Sequence, residues 1–474
     1  MHKLASAIGL AVGTLVFASA AQAATYVVIA KAQNFDSQLA RKIEAAGGTI
    51  KARLPQIGVA IVETNDAGFA GKAARIPAVR SAVKDVTIQF DLGRSTSDVQ
   101  ADYANPPASG DNDAFFDFQW GHAAIDAAGA WNAGYRGAGA TVAVLDSGVY
   151  CNHVDIVPNL DKIKSTSFVL NADGTTEPYC NTAGSSHGTH TMGTIAAADN
   201  GIGTIGVAPE AGVFAVKVLS AVTGSGSFGG IIQGIVYAAA NGADVINMSL
   251  GVSGGLPIGG KDVAELVNAT ARATRYAYSQ NATVVASAGN DGRNLDKDSH
   301  AYICDDTNGD GVDDFCDYYN VRSFPGQLPG VVTVSALGPL AWLKDPANAD
   351  FDIRASYSNY GQSAIDLGAP GGNFDYPGNE NCPAFKGVVV PCWVWDGVFS
   401  TTTGTGGYGW NFGTSMAAPH VAGVAALIVG KKGGEASPSE VARILRASAD
   451  DLGKPGNDET FGSGRVNARR AVQH

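Results

Sequence analysis

The sequence predicts an α/β protein with a mainly parallel sheet covered by helices on both faces, preceded by a small α+β unit. From about residue 114, apolar runs such as ATVAVLD, VFAVKVL, ADVINMSL and ATVVASAG alternate with helical stretches. Continuous apolar runs separated by helices indicate parallel strands that are buried on both faces. Before residue 93, the stretches TYVVIAK, IGVAIVET and AVKDVTIQF are typical of strands, and two short helical stretches lie between them.

Composition limits the class of protein. The chain has 474 residues, of which 45% are hydrophobic and 16% charged, enough for one large core and a smaller unit. Its formal net charge of -12 argues against nucleic-acid binding, which needs a basic surface. No segment after the N-terminal one has the roughly 20 unbroken apolar residues that span a bilayer. We expect a soluble monomer without a membrane span.

The N-terminus resembles an export signal. A short basic start at His2 and Lys3 precedes an apolar run, which ends in small residues at Ala21-Gln22-Ala23. This pattern predicts a signal peptide over residues 1–23 and a secreted, extracellular protein. An N-terminal membrane helix is the alternative, and the absence of a basic stop-transfer flank disfavours it.

Six cysteines follow this signal. An even number in an exported chain suggests three disulfides, although six cysteines allow fifteen connectivities. Pairing of sequence neighbours is the most economical, and it gives Cys151–Cys180, Cys304–Cys316 and Cys382–Cys392. A metal site is the weaker alternative because no C-x-x-C spacing occurs.

Chain organisation follows from the same patterns. Residues 24–92 form the small unit, 93–113 are a polar, Pro- and Gly-rich linker, and 114–474 form the main domain. In parallel α/β sheets, chemistry gathers at the carboxyl ends of the strands. Asp146 follows VAVL and Asn290 follows VVASAG, whereas His187 and Ser415 each begin a helix rich in small residues.

Three motifs resemble the subtilisin family of serine peptidases: DSGV with Asp146, HGTH with His187 and GTSMAAPHVAG with Ser415. The order Asp, His, Ser is the subtilisin order. The resemblance covers roughly residues 118–472. It implies a serine endopeptidase in which His187 activates Ser415, Asp146 orients His187 and Asn290 stabilises the oxyanion. Taken singly, Ser415 would be an ordinary helix cap, and the HxxH pair could be a metal site. His190 and His420 are expected to be structural.

The resemblance also implies a cleft that holds peptide substrates as an extended strand between two edges. The expected substrate-binding residues lie in three segments: Gly224, Ser225, Gly226 and Phe228; Ser249, Leu250 and Gly251; and Ala286, Ser287, Ala288 and Gly289. Residues 24–92 resemble the inhibitory propeptide of the family, so we expect a self-processed zymogen that is cut within the linker. A permanently attached domain is the alternative.

Calcium is expected at two places. The stretch CDDTNGDGVDDFCD follows the spacing of a calcium loop, with ligands at Asp306, Asn308, Asp310, Val312, Asp314 and Asp317. A solvated acidic loop is the alternative. Family likeness implies a second site at Asp155, Asn200, Ala198, Ile202 and Thr204. The position of the family's glutamine ligand is taken by Phe116, which weakens this second prediction.

Residues 372–398 are interpreted as an insertion that carries Trp393 and Trp395. They form either part of the cleft rim or, slightly favoured, a surface flap with its own small core. Two other functional hypotheses remain: a catalytically silent binding scaffold, and an acid-active serine-carboxyl peptidase. His187 in HGTH disfavours the second of these.

Overall fold

The computed structural model describes residues 23–99, 110–171, 173–298, 300–305, 315–404 and 406–474, without the side chains of 97–99, 301–305 and 315–319. The predicted signal peptide, most of the linker and most of the calcium loop lie outside the described residues. In the described part of the chain, no helix has both the length and the hydrophobicity needed to cross a membrane.

The N-terminal unit is an antiparallel sheet with two helices. Its elements are β1 (Ala24–Ala30), α1 (Ser37–Ala45), β2 (Thr49–Leu54), β3 (Val59–Thr64), α2 (Phe69–Ala74) and β4 (Val79–Lys84). The strand order is β2-β3-β1-β4. Asp36 caps α1 by accepting a hydrogen bond from Leu39 N. Phe35, Leu39, Ile43 and Phe69 fill the core between helices and sheet, as the apolar spacing predicts.

The last strand predicted for this unit, over AVKDVTIQF, is divided in two. After β4 the chain leaves the sheet, and β5 (Thr87–Gln89) pairs instead with β10 (Ser225–Ser227) of the main domain. Asp85, at the division, accepts a hydrogen bond from Gly229 N in the first turn of the next main-domain helix. The prediction of one continuous strand was therefore wrong, because partners in the main domain bind the second half.

The chain then enters the main domain. The elements up to the middle of the main sheet are β6 (Arg94–Val99), α3 (Trp120–Ala124), α4 (Ala127–Asn132), β7 (Thr141–Asp146), β8 (Thr166–Ser167), α5 (His187–Ala196), β9 (Gly212–Lys217), β10, α6 (Phe228–Ala240) and β11 (Val245–Met248). The rest are β12 (Leu256–Pro257), α7 (Lys261–Ser279), β13 (Thr283–Ser287), β14 (His300–Asp305), β15 (Phe315–Arg322), β16 (Val331–Leu337), β17 (Leu367–Pro370), α8 (Cys392–Trp395), β18 (Val398–Thr401), β19 (Tyr408–Phe412), α9 (Thr414–Lys431), α10 (Pro438–Ser448) and α11 (Ala468–Ala471).

The main sheet has 7 strands in the order β17-β16-β13-β11-β7-β9-β8, and its pairings are parallel. Alternate residues of β7 face opposite sides. Val142 and Val144 join the core beneath α5 and α9, whereas Ala143 and Leu145 join the core beneath α6 and α7. The predicted sheet with helices on both faces is confirmed.

Pro419 lies inside α9, beyond its first turn. Proline at this position cannot donate to the carbonyl of Ser415. The hydroxyl of Ser249 donates to that carbonyl instead, at 2.7 Å, so the acceptor is satisfied.

Two predicted disulfides are present, Cys151–Cys180 and Cys382–Cys392. For the third, the register of β14 and β15 sets Cys304 directly opposite Cys316, which supports that pairing while the side chains lie outside the described part.

Candidate active site

Asp146 and His187 come together where β7 ends and α5 begins. His187 Nδ1 lies 2.7 Å from Asp146 Oδ1, and the side chains are 2% and 1% exposed. The approach is close because residue 188 is glycine, where an added Cβ would lie 2.2 Å from the Gly148 carbonyl oxygen. Only a residue without a side chain fits between these two segments.

Further hydrogen bonds hold the carboxylate of Asp146 in place. Ser147 N donates to Oδ1 at 2.6 Å, and Thr191 Oγ1 donates to Oδ2 at 3.2 Å. Both oxygens are therefore occupied, which fixes the face presented to His187. Thr191 was not singled out from the sequence, because only the turn of α5 brings it under Asp146.

Ser415 lies at the N-terminus of α9, which packs against α5. Its hydroxyl donates to the Ser249 carbonyl at 3.2 Å. His187 Nε2 is buried and has no hydrogen-bond partner among the described residues. The His187 ring therefore keeps Nε2 without a partner among the described residues. The Ser415 hydroxyl is hydrogen-bonded to the neighbouring Ser249 carbonyl.

Hydrogen bonds from Thr414 fix the orientation of the Asn290 side chain. The Asn290 side-chain oxygen accepts from Thr414 N at 2.9 Å and from Thr414 Oγ1 at 2.8 Å, which turns its NH2 group outward. The same hydroxyl accepts from Gly289 N at 3.1 Å. Thr414 is a positioning residue that the sequence analysis missed.

Asn290, Gly413 and Ser415 border a small opening, called here the Gly413 notch. A Cβ at Gly413 would lie 3.4 Å from Asn290 Nδ2 and 3.6 Å from Ser415 N. Gly413 also has φ +144, a conformation that favours glycine. The residue keeps the space in front of both N–H donors clear, since N–H groups at a helix start have no partner within the helix.

The cleft edges expected to bind substrate hold the chain's own residues 87–91. β5 pairs antiparallel with β10 across Ser225, Gly226 and Ser227. Beyond β5, Phe90 N donates to the Gly224 carbonyl at 3.3 Å, and Asp91 N donates to the Gly251 carbonyl at 2.8 Å. Asn290 Nδ2 donates to Asp91 Oδ2 at 2.9 Å. The Asn290 NH2 group at the notch therefore donates to a side-chain carboxylate and not to a backbone carbonyl.

The remaining expected binding residues form the wall behind this strand. Ser287 Oγ donates to the Leu250 carbonyl at 2.8 Å, which ties the segment 286–289 to the edge at 249–251. Ala286, Ala288 and Ser249 are buried, and a Cβ at Gly251 would lie 3.4 Å from Gly289 Cα. Phe228 is fully buried against Phe324, with ring centroids 5.0 Å apart.

Comparison with known proteins shows the family of this chain. The profile of the peptidase S8 subtilase family matches residues 137–464. Subtilisin E of Bacillus subtilis (strain 168) is 34% identical over 354 residues, which cover 75% of this chain and 71% of that protein. The chain belongs to the subtilase family. Alkaline elastase YaB of a Bacillus species is another relative, 35% identical over 75% of this chain and 70% of its own length.

Solved structures agree with the fold of this subtilase. The epidermin leader peptide processing serine protease EpiP of Staphylococcus aureus has a TM-score of 0.70 at 21% identity, over 95% of this chain and 98% of that chain. A protease from Pseudoalteromonas arctica has a TM-score of 0.56 at 31% identity, over 77% of this chain and 99% of that chain. The fold is the three-layer subtilisin-like fold, and the protein is a serine endopeptidase.

The second predicted calcium site of this subtilase is arranged differently from expectation. Asp155 and Asn200 do meet, but Asn200 Nδ2 donates to Asp155 Oδ1 at 3.2 Å, and Thr204 N donates to Oδ2 at 2.9 Å. Burial raises the pKa of Asp155 to about 6. The Asp155 carboxylate is thus held by these two donors, and the calcium site expected at Asp155, Asn200, Ala198, Ile202 and Thr204 stays a prediction.

A neighbouring acidic cluster fits a cation better. Asp111, Asp113 and Asp199 place carboxylate oxygens within 4.8 Å of one another. Asp113 is fully buried, and its Oδ2 has no hydrogen-bond partner among the described residues. Burial, and then the carboxyl of Asp111, raise the pKa of Asp113 to about 8. Arg136 contacts Asp111 and Asp199 and offsets part of this negative charge. Asp113 was missed because Asp199, the third carboxylate of the cluster, comes from a distant segment.

The competing histidines of this subtilase lie in the core. His190 Nε2 is 3.0 Å from the Val398 carbonyl, and His420 Nδ1 is 2.8 Å from the Met416 carbonyl. Burial lowers the pKa of His190 to about 3 and that of His420 to about 4. Both are neutral rings that donate to backbone carbonyls, as a structural role requires.

Proposed function

We propose that Asp146, His187 and Ser415 form the catalytic triad of this endopeptidase, with Asn290 and Ser415 N as the oxyanion donors. The observation that carries the proposal is the buried contact of 2.7 Å between His187 Nδ1 and Asp146 Oδ1, beside a helix start that carries Ser415. This contact keeps the proton on Nδ1, so Nε2 is free to act as a base.

Catalysis then follows from the positions of these groups. The Ser415 hydroxyl leaves the Ser249 carbonyl and gives its proton to His187 Nε2 as its oxygen attacks the substrate carbonyl carbon. The resulting oxyanion accepts hydrogen bonds in the Gly413 notch. His187 passes the proton to the leaving amine, and water then hydrolyses the acyl-enzyme by the same route. Donors of this kind typically contribute about 100- to 1,000-fold to turnover; the known magnitude comes from the equivalent asparagine of a subtilisin.

The protein is proposed to be made as a secreted zymogen. The export pattern of residues 1–23 supports secretion. Residues 24–92 support the role of an inhibitory propeptide because β5 and Phe90 occupy the cleft edge as a substrate strand would. Maturation cuts the chain near the Gly413 notch, which Gly93 touches, or further along the segment 93–113.

Peptide substrates are proposed to bind as an extended strand between Gly224–Phe228 and Ser249–Val252. Backbone pairing of this kind accepts many sequences, which supports broad specificity on this side of the cleft.

Calcium is proposed to have a structural role. The acidic loop at 306–317 remains a prediction outside the described residues, except for the backbone of Asp317 in β15. At the main domain's N-terminal end, Asp113 with Asp111 and Asp199 is a further place that would hold an ion, beside the Asp155 set. A chelator is expected to lower the melting temperature, and Asp113→Asn is expected to reduce that effect without changing the Ser415 chemistry.

The decisive experiment compares the wild-type chain, Ser415→Ala and the control Ser279→Ala, an exposed serine at the end of α7. A fluorophosphonate probe should label the wild type and the control on Ser415, and both should cleave casein. Ser415→Ala should show neither property, and N-terminal sequencing should find it unprocessed. Casein cleavage that persists in Ser415→Ala would refute the assignment. An unlabelled and inactive wild type would favour the silent scaffold.

A further inference from the structure

The insertion at residues 372–398 lies both in the core and at the edge of the cleft. Trp395 is fully buried, and its ring packs against Trp410 and Phe118, with centroids 5.1 Å and 5.0 Å away. Trp393 is only half-buried. The disulfide Cys382–Cys392 closes the segment directly before Trp393. The insertion is therefore anchored by one tryptophan, which leaves the other at the surface beside the cleft.

Trp393 and Phe374 enclose the side chain of Arg94. The Arg94 guanidinium carbon lies 4.6 Å from the Trp393 ring centroid and 5.6 Å from that of Phe374. Phe412 supports both rings, at 5.7 Å from Trp393 and 5.8 Å from Phe374. Tyr357 stacks on Phe374, with ring centroids 5.1 Å apart. The pair Trp393 and Phe374, called here the aromatic clamp, is thus held by other rings.

The clamp lies on the opposite side of the Gly413 notch from β5. A Cβ added at Gly413 would lie 3.5 Å from Gly93 Cα. Arg94 comes next and pairs with Phe412, as β6 runs antiparallel to β19. Phe412 is followed by Gly413, Thr414 and Ser415. A cavity of about 230 Å³ joins the two regions and is lined by Asn290, Gly413, Phe412 and Phe374, among others.

Ring faces provide the attraction in this clamp. Among the residues that the structure describes, no carboxylate forms an ion pair with Arg94. A planar guanidinium can stack on aromatic faces, and tryptophan offers the strongest such surface. Arg94 is exposed, so the contact falls in the weaker range of cation–π interactions.

We propose that the aromatic clamp is a specificity subsite on the leaving-group side of the cleft, which binds an arginine side chain of the peptide substrate. The inference rests on the proposed function, because it treats β5 to β6 as the path that a substrate takes through the cleft. Arg94 then shows how the side chain after the cleaved bond is recognised, and the insertion supplies a preference that backbone pairing alone lacks.

The test uses the self-processed protein from the full-length chain and two synthetic peptides with the sequence of residues 86–99. One peptide carries arginine at position 94. The other carries citrulline, which has the same shape without the charge. The apparent inhibition constant of each peptide is measured against a casein reporter, and mass spectrometry locates any cut. We expect the arginine peptide to bind about 2- to 5-fold more tightly, with any cut on the N-terminal side of residue 94.

Variants at Trp393, with a control at Tyr376, distinguish the effect of the aromatic clamp on peptide binding from general effects on the fold. Trp393→Leu should remove the preference for arginine over citrulline, and Trp393→Phe should keep part of it. Tyr376→Leu is the matched control, because Tyr376 contacts Lys344 in a similar way at 4.9 Å and should leave the ratio unchanged.

Equal constants for the two peptides with the wild type would overturn the subsite, as would an unchanged ratio in Trp393→Leu or a cut after Arg94. A wild type that leaves casein and both peptides uncut would instead overturn the proposed function, and the subsite with it.

Discussion

The carboxylate of Asp91 occupies the Asn290 donor that a substrate carbonyl would need. Its second oxygen accepts from Gly93 N at 2.8 Å, which shapes the chain as it passes the Gly413 notch. Hydrogen bonds to charged groups contribute about 1.5–3 kcal/mol. Asp91→Ala should therefore free the notch and shorten the half-time of the first self-cleavage by roughly 10-fold, as followed by gel electrophoresis.

The control for that experiment is Asp173→Ala, which removes an exposed carboxylate that, among the described residues, bonds within its own loop, at Thr175. Its processing should match the wild type. A slower first cleavage in Asp91→Ala would mean that Asp91 helps to present the bond and does not block it.

His420 predicts a pH dependence of stability. Burial lowers its pKa from 6.5 to about 4, so the unfolded chain takes up this proton at a higher pH than the folded chain. The stability from the neutral ring is fully present above about pH 6.5 and is lost as pH falls towards 4. In His420→Gln, the fall of the unfolding free energy over this interval should be shallower by up to about 1.4 kcal/mol per pH unit. Urea titrations between pH 7 and 4.5 would check this, and parallel curves would contradict it.

Single residues also show what the sequence could reveal. Asp146, His187, Ser415 and Asn290 stand in long motifs, so the contact of Asp146 with His187 was predictable from them. Thr414, Thr191 and Asp113 act through hydrogen bonds between segments that only folding brings together. No local pattern distinguishes them from ordinary polar residues.

At the scale of elements, the two described disulfides should differ in their effect. Cys151–Cys180 closes a longer loop than Cys382–Cys392, with sequence separations of 29 and 10. Loop-closure entropy predicts losses of about 4 and about 3 kcal/mol when each is removed. Paired Cys→Ser variants, compared by urea unfolding, should keep this order. The reverse order would show that the insertion depends on its disulfide for packing.

The strands show where sequence patterns stop being sufficient. The buried strands of the main sheet were predictable because both of their faces need apolar residues. The division between β4 and β5 was not, because the apolar alternation continues through it and only the partner strand changes. Likewise, β6 begins in a stretch interpreted as a polar linker. Its own residues do not show the pattern of a strand, and the strand forms because it pairs with β19.

At the scale of the whole molecule, the N-terminal unit is attached through α7. Arg80 and Glu265 form a double hydrogen bond at 2.8 Å and 3.0 Å, and Arg272 donates to the Ala30 and Ile57 carbonyls at 3.0 Å and 3.2 Å. In the first pair the Arg80 side chain is 47% exposed and that of Glu265 is 14% exposed, whereas Arg272 is buried. Exposed pairs contribute about 0–1 kcal/mol, but a buried carbonyl left without its donor costs about 1–3 kcal/mol.

These contacts predict how fast the proposed propeptide is released after the proposed cut. Arg272→Leu should shorten the lag before casein activity appears by roughly 5- to 100-fold, and Glu265→Gln by no more than about 5-fold. Lys261→Gln, at the exposed start of α7, should leave the lag unchanged. Equal lags for Arg272→Leu and the wild type would show that release is not limited by this interface.

The pairing of β6 with β19 has one more consequence. The proposed cut beside the notch would separate the two halves of the segment that passes it: the upstream half would leave with residues 24–92, and the downstream half would stay covalently joined to the enzyme. A newly formed amino terminus is then retained next to the nucleophile, at an effective concentration of roughly millimolar. Mature enzyme from which this retained segment has been removed should bind its substrates without first displacing the segment.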